Sequence, residues 1–197
     1  ECIHFQILNG HSDTAGSMLE SLGRYLRITL SVGQTFISAE KEAEHVTSYM
    51  EIMNRHSREG VHFTCHIDSH LKNSKIMKVL LQPLAENCLK HGFGNMSLET
   101  WPVAPQITIS ITLDQTHTHI IIEVSDNGKG IDIPKATACL TEEQPEGRDH
   151  FGLNNIYRRL MACYGTEANI SFVSIPYLKN SVIVCIPYDR NEFSNTP

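Results

Sequence analysis

The chain has 197 residues, 41% of them hydrophobic and 19% charged, and its formal net charge is −6 with histidine neutral. That length supports one sizeable core, or one domain with a smaller helical piece. The negative sign excludes a non-specific nucleic-acid binder, and the longest apolar runs, such as "IIIEV" at 120–124, are strand-sized, too short for a membrane-spanning helix.

Residues 1–58 read as helical throughout. Met18, Leu19, Leu22, Leu26 and Leu30 recur at helical spacing until Gly33 breaks the pattern. Ser38 then stands as an N-cap, with acidic residues in the first turn and Val46, Tyr49 and Met53 on one face. Two successive amphipathic helices make a hairpin, and a hairpin this thin needs a partner, so dimerisation is expected.

From residue 59 the period changes. "VHFTCHID" alternates like a strand, a helix is expected around 75–92, and 93–105 is a loop. "QITISITLDQTHTHIIIEVSD" reads as two strands joined by a polar turn at 114–117. The segment from "NGKG" to "HFG" reads as mostly irregular. "LNNIYRRLMACYG" is a helix ended by Gly165, and two closing strands follow with a turn near Lys179–Asn180. The expected fold is α+β: a two-layer sandwich with a mixed sheet and two long helices on one face, preceded by the hairpin. The expected division is 1–58, 59–190 and a polar tail at 191–197. The six cysteines form no CxxC pair, which suggests a reducing, cytoplasmic setting. Histidines in "VHFTCHI" and "THTHI" sit on alternating patterns and read as solvated strand residues rather than metal ligands.

Three stretches carry chemistry. In "LQPLAENCLKHG", 81–92, Leu81, Leu84, Ala85, Cys88 and Leu89 form an apolar arc with the preceding Leu80, and Pro83 bends the helix or marks a first turn. Asn87, Lys90 and His91 have the i, i+3, i+4 spacing that gathers side chains, and Glu86 and Lys90 are spaced to pair. An asparagine carbonyl suits a metal, and a neighbouring lysine suits a phosphate. "EVSDNGKGI", 123–131, ends an apolar strand in Asp126, with Gly128 and Gly130 close behind. Such a carboxylate can accept from an exocyclic amine, while glycines admit a flat ligand without a Cβ clash. In "HFGLNNIYRRL", Gly152 opens a helix whose N–H groups suit a phosphate.

In this order the three pieces resemble the GHKL (Bergerat) ATP-binding domain shared by gyrase, HSP90-type chaperones, histidine kinases and MutL, in the form of the LytS-like bacterial sensor histidine kinases. "LLQPLAENCLKHG" is similar to their N box, "DNGKG" to the first glycine box and "FGLNNIYRRL" to the second. The upstream helices are similar to those joining the phosphoacceptor region to the catalytic domain. The resemblance implies ATP and Mg²⁺ as cofactors, with Asn87 ligating the metal and Asp126 accepting from the adenine amine. It implies that Gly128 and Gly130 admit the nucleotide, that Lys90 and His91 lie near phosphate or ribose, and that Gly152 and Leu153 shape the lid. Arg159 matches the family's helix arginine, and an ion pair is its structural alternative. Glu86 precedes Asn87 as in the family and joins Asn87 and Lys90 as a catalytic candidate.

The implied reaction moves the γ-phosphoryl of ATP to a histidine and then to the receiver domain of a response regulator. It also implies a homodimer and a longer, membrane-anchored protein, with no nucleic-acid partner. The alternative is a non-catalytic nucleotide-binding or dimerisation module. An ATPase of the gyrase kind is disfavoured, because Pro83 stands where the acidic base would be. Three departures stand out: His150-Phe151 replace a usual glycine, an aromatic is missing after "IMNRH", and no phosphoacceptor box is visible. His4 is too close to "LGRYLR" for the acceptor, which is expected outside the chain.

Overall fold

The computed structural model describes residues 2–31, 33–54, 60–94, 103–141 and 151–188, with the side chains of Cys2, Phe5 and Phe151 left out. Helices α1 (Cys2–Leu8) and α2 (Ser12–Thr29) lead to a short strand β1 (Phe36–Ser38) and helix α3 (Ala39–Asn54). Then come β2 (His62–Ile67), β3 (Lys75–Met77), α4 (Leu81–Asn87) and a π-helical turn, Cys88–Phe93. The chain continues through β4 (Gln106–Leu113), β5 (His119–Asp126), α5 (Ile133–Thr141), α6 (Phe151–Tyr164), β6 (Asn169–Ile175) and β7 (Lys179–Pro187). Among the described residues no helix is long and apolar enough to cross a membrane.

The five-stranded sheet runs β2-β4-β5-β7-β6. β2 is parallel to β4 and the other pairs are antiparallel, so the sheet is mixed as expected. Alternation sets its buried face: Ile107, Ile109 and Ile111 on β4, Ile120, Ile122 and Val124 on β5, and Val184 and Ile186 on β7. Those side chains join Leu81, Leu84 and Ala85 of α4, Ile156 and Leu160 of α6, and Val46 and Met50 of α3 in one core. Pro83 falls in the first turn of α4, where its missing N–H breaks no helical bond.

Several elements differ from the sequence reading, each for a local reason. β1 and β3 are three residues each and pair antiparallel, Ile37 opposite Ile76, inside stretches read as helix. Three residues are too few to display a period. The segment read as irregular contains α5, and the last hairpin turns at 176–178, so Lys179 and Asn180 belong to β7. Ser38 does cap α3, accepting from the Lys41 N–H at 3.3 Å.

α2 and α3 form the expected antiparallel pair. Arg24 bridges Glu51 at 2.9 Å, and Tyr25 stacks on His45 with ring centroids 4.7 Å apart. The face that α2 turns to α3 is not the leucine stripe, however. Ala15, Met18 and Ser21 are buried, while Leu19, Leu26 and Leu30 are exposed. Likewise α3 buries Val46 and Met50, and leaves Met53 exposed.

His45 is fully buried, its Nε2 2.9 Å from Thr29 Oγ1, and its Nδ1 has no hydrogen-bond partner among the described residues. Burial, then the nearby Lys78 charge, lowers its pKa to about 4. As pH falls, the unfolded chain therefore takes up this proton first. The His45 contribution to stability is complete above the ordinary histidine value and is lost by about 3 kcal/mol as pH drops to about 4. His45→Phe keeps the ring stack and removes the proton site. Urea melts at neutral pH and near pH 4 are expected to show a shallower loss of stability in the variant than in the wild type.

Candidate functional site

The alternation that buries Ile120, Ile122 and Val124 continues one step to Asp126, so its carboxylate lies on the core face at the end of β5. Asn180 stands directly opposite on β7 and is also buried. Asp126 Oδ1 accepts the Gly128 N–H at 2.8 Å and the Asn180 side-chain amide at 3.1 Å. The same amide donates to the Gly128 carbonyl at 3.0 Å, so Asn180 ties the carboxylate to the loop after it. Asn127 pins the strand end from outside, its Oδ1 accepting the Gln106 N–H at 2.8 Å.

The glycines here do two different things. A Cβ on Gly128 would lie 2.4 Å from the Gly92 carbonyl oxygen, and the Lys129 N–H donates to that oxygen at 2.9 Å. Gly128 therefore lets the loop seat on the π-helical turn. A Cβ on Gly92 would lie 3.0 Å from Asp126 Oδ1, so Gly92 keeps the carboxylate uncovered. Gly130 has φ +111, and a Cβ there would lie 2.9 Å from Pro176 Cγ.

A cavity of about 350 Å³ opens over this floor, in the range of small-molecule sites. Asn87, His91, Asp126, Gly130 and Leu153 line it, together with Lys129, Lys135, Asp132, Phe172 and Val182. Gly152 sits beside Asn87: a Cβ on it would lie 3.7 Å from Asn87 Oδ1, so the opening turn of α6 lies next to that side chain. The helix α6 is also tied to α5, because buried Asn154 donates to the Cys139 and Leu140 carbonyls at 2.9 and 3.1 Å. Cys88 is buried on the cavity wall; burial and then the Asp126 charge push its thiol well above the ordinary range, which leaves it a weak nucleophile.

Of the expected site residues, Glu86, Lys90 and Arg159 lie off the cavity lining, and Gly128 and Gly152 border it only through the loop and helix start they form. The chain switches to π-helical bonding after Asn87. Asn87 and His91 line the cavity; Lys90, 63% exposed, is paired with Glu86 and is not on the lining. Arg159 lies at the far end of α4, donating to the carbonyls of Lys78 and Val79. Of the second glycine box, His150 lies outside the described residues and only the Phe151 backbone is described.

The sequence reading missed Asn180 and Lys135. Asn180 shares the register of Val182, Val184 and Ile186, a signal hidden by placing the turn on it. Lys135 sits on a helix not expected there.

Comparison with known proteins gives the same picture. Residues 72–190 match the histidine kinase-, DNA gyrase B-, and HSP90-like ATPase family, and residues 1–60 match the histidine kinase family. The sensor protein kinase HptS of Staphylococcus aureus is 26% identical over 178 residues, 89% of this chain and 33% of the relative. The chain thus spans about a third of the length of the curated relatives it matches. The histidine kinase domain of a blue-light activated kinase from Erythrobacter litoralis superposes with TM-score 0.55 at 13% identity, covering 93% of this chain and 83% of that one. Full-length ShkA in complex with AMPPNP superposes with TM-score 0.57 at 14% identity, over 87% of this chain and 35% of that one. These likenesses support the fold. With more than half its residues matched, and the buried carboxylate, glycine-seated loop and asparagine-bearing helix in place, the chain belongs to the family of histidine kinase-, DNA gyrase B- and HSP90-like ATPases.

Proposed function

We propose that this chain is the ATP-binding and helical part of a sensor histidine kinase, acting in phosphoryl transfer from ATP to a histidine and on to a response regulator receiver domain. The observation that carries this is the buried Asp126 carboxylate, fixed by Gly128 and Asn180 at the floor of a cavity with Asn87 on its wall. A fixed acceptor in a buried floor selects a ligand with a matching amine, which adenine has. The volume and the uncovered carboxylate fit an adenine nucleotide, and the ShkA complex holds a nucleotide analogue on the same fold.

Asn87 presents an amide oxygen, a hard donor that suits Mg²⁺ sharing its other positions with phosphate oxygens and water. Among the described residues no cluster of His, Cys, Asp and Glu competes for that role. Mg²⁺, when bound, neutralises charge on the phosphates. The chain's own part is to bind and orient: Asp126 holds the base, while Lys129 and Lys135 supply positive charge on the wall. The opening turn of α6 lies beside Asn87, and the N–H groups of a helix start suit a phosphate chain. Lys90 joins them by leaving Glu86, a surface pair that costs little to open. The exposed leucines of α2 are the surface by which two copies associate, and the parent protein is membrane-anchored with this part in the cytoplasm.

Calorimetric titration with a non-hydrolysable ATP analogue tests the reading. Mg²⁺ is expected to tighten binding about tenfold in the wild type and to have little effect in Asn87→Ala. A folded wild-type chain that binds no analogue would overturn it.

A further inference from the structure

The connection between β3 and α4 is held from three sides. Val79 has φ 55, a left-handed backbone conformation that a β-branched residue rarely adopts. Glu42, a fully buried residue of α3, accepts the N–H groups of Val79, Leu80 and Leu81 at 3.0, 2.7 and 3.0 Å. The N-cap position of α4 is Leu80, which has no side-chain cap to offer, so the cap is imported from α3. Arg159 of α6 donates to the Lys78 and Val79 carbonyls. Tyr164, the last residue of α6, accepts the Met77 N–H at 2.9 Å.

Lys78 points the other way. Its side chain is buried, and Nζ donates to the carbonyls of Thr29 and Ser31 at 3.0 and 2.7 Å, at the C-terminal end of α2. Its own N–H donates to the Thr35 carbonyl at 3.0 Å. Tyr25 of α2 reaches past the turn to α4 itself, its hydroxyl 3.4 Å from Gln82 Oε1. A second cavity, of about 390 Å³, lies along this turn, lined among others by Thr29, Gln34, Lys78 and Arg159. The turn is thus strained and clamped, with open space on one side. The seven-residue helix α4 that follows ends at Asn87 on the wall of the first cavity. A two-turn helix is a stiff rod of about 10 Å, so a shift at Lys78–Leu81 arrives at Asn87 largely undiminished.

We propose that Lys78 and the Val79 turn are positioning residues that tie the placement of α2 to the placement of Asn87, so that nucleotide binding and the position of α2 bias each other. The coupling is reciprocal, as linkage requires. It rests on the nucleotide-binding reading given above.

Hydrogen–deuterium exchange of the whole chain, with and without Mg²⁺ and a non-hydrolysable ATP analogue, tests it. The wild type is compared with Lys78→Met, which removes the ammonium and keeps the stem, and with Val79→Gly, which leaves the backbone bonds and frees φ. In the wild type the analogue is expected to protect amides at 84–92 and to change exchange at 26–31 by about threefold or more. In both variants the first response persists and the second falls below half. A turn with only a structural role would alter exchange equally with and without analogue, leaving that difference unchanged. No response at 26–31 in the wild type, or an equal one in the variants, overturns the proposal. Absence of protection at 84–92 in the wild type overturns the nucleotide reading and this proposal with it. Should Lys78→Met not fold, Val79→Gly alone decides.

Discussion

Gly128→Ala is expected to damage both the fold and the site. The added Cβ would meet three backbone atoms of Gly92, its O at 2.4 Å, C at 2.6 Å and Cα at 2.7 Å, and none belongs to a side chain that can swing away. The loop must lift from the π-helical turn. That breaks the Lys129 N–H bond to Gly92 and draws the Gly128 N–H off Asp126. Overpacking of this kind costs about 2–3 kcal/mol, and the displaced carboxylate lowers nucleotide affinity by more than about tenfold. Gly23→Ala is the matched control. It lies within α2 with nothing within 4 Å of the added Cβ, and alanine's helix propensity favours it by up to about 1 kcal/mol. Urea melts of the two variants are expected to shift in opposite directions.

Much of this arrangement is legible in the residues because it follows local periods. Asp126 extends the alternation of Ile120, Ile122 and Val124, so its inward direction could be read without knowing what it faces. The apolar arc of α4 is likewise buried from Leu80 to Cys88. What escaped was set by partners distant in sequence. β1 and β3 define each other across nearly forty residues, and neither is long enough to declare itself. Glu42 reads as an ordinary first-turn acid of α3, yet its carboxylate serves the backbone of another helix. The π-helical turn has no compositional mark, and Lys90 within it pairs with Glu86 rather than lining the cavity. Glu86–Lys90 shows the opposite case, where the ion-pair reading describes the observed bond, whereas Arg159 donates to two backbone carbonyls in place of the ion pair expected as its alternative.

The measurement that bears most directly on the account is a base-swap titration on Asp126→Asn. Oδ1 of Asp126 already takes the Gly128 N–H and the Asn180 amide, so an asparagine keeps its carbonyl oxygen there. Its NH₂ then occupies the position of Oδ2, on a residue that lines the cavity. A donor would meet the adenine amine, another donor, where a carboxylate had accepted. Losing a charged hydrogen bond of about 1.5–3 kcal/mol predicts affinity for a non-hydrolysable ATP analogue roughly 10- to 100-fold weaker than wild type. A 6-oxopurine triphosphate analogue should behave in the reverse sense, gaining from the variant's amide the donor that the wild-type carboxylate lacks. Loss of the adenine analogue together with gain of the 6-oxopurine would establish Asp126 as the base-reading group. Equal binding of both analogues by wild type and variant would contradict the placement of the base over Asp126, and with it the reading of this cavity.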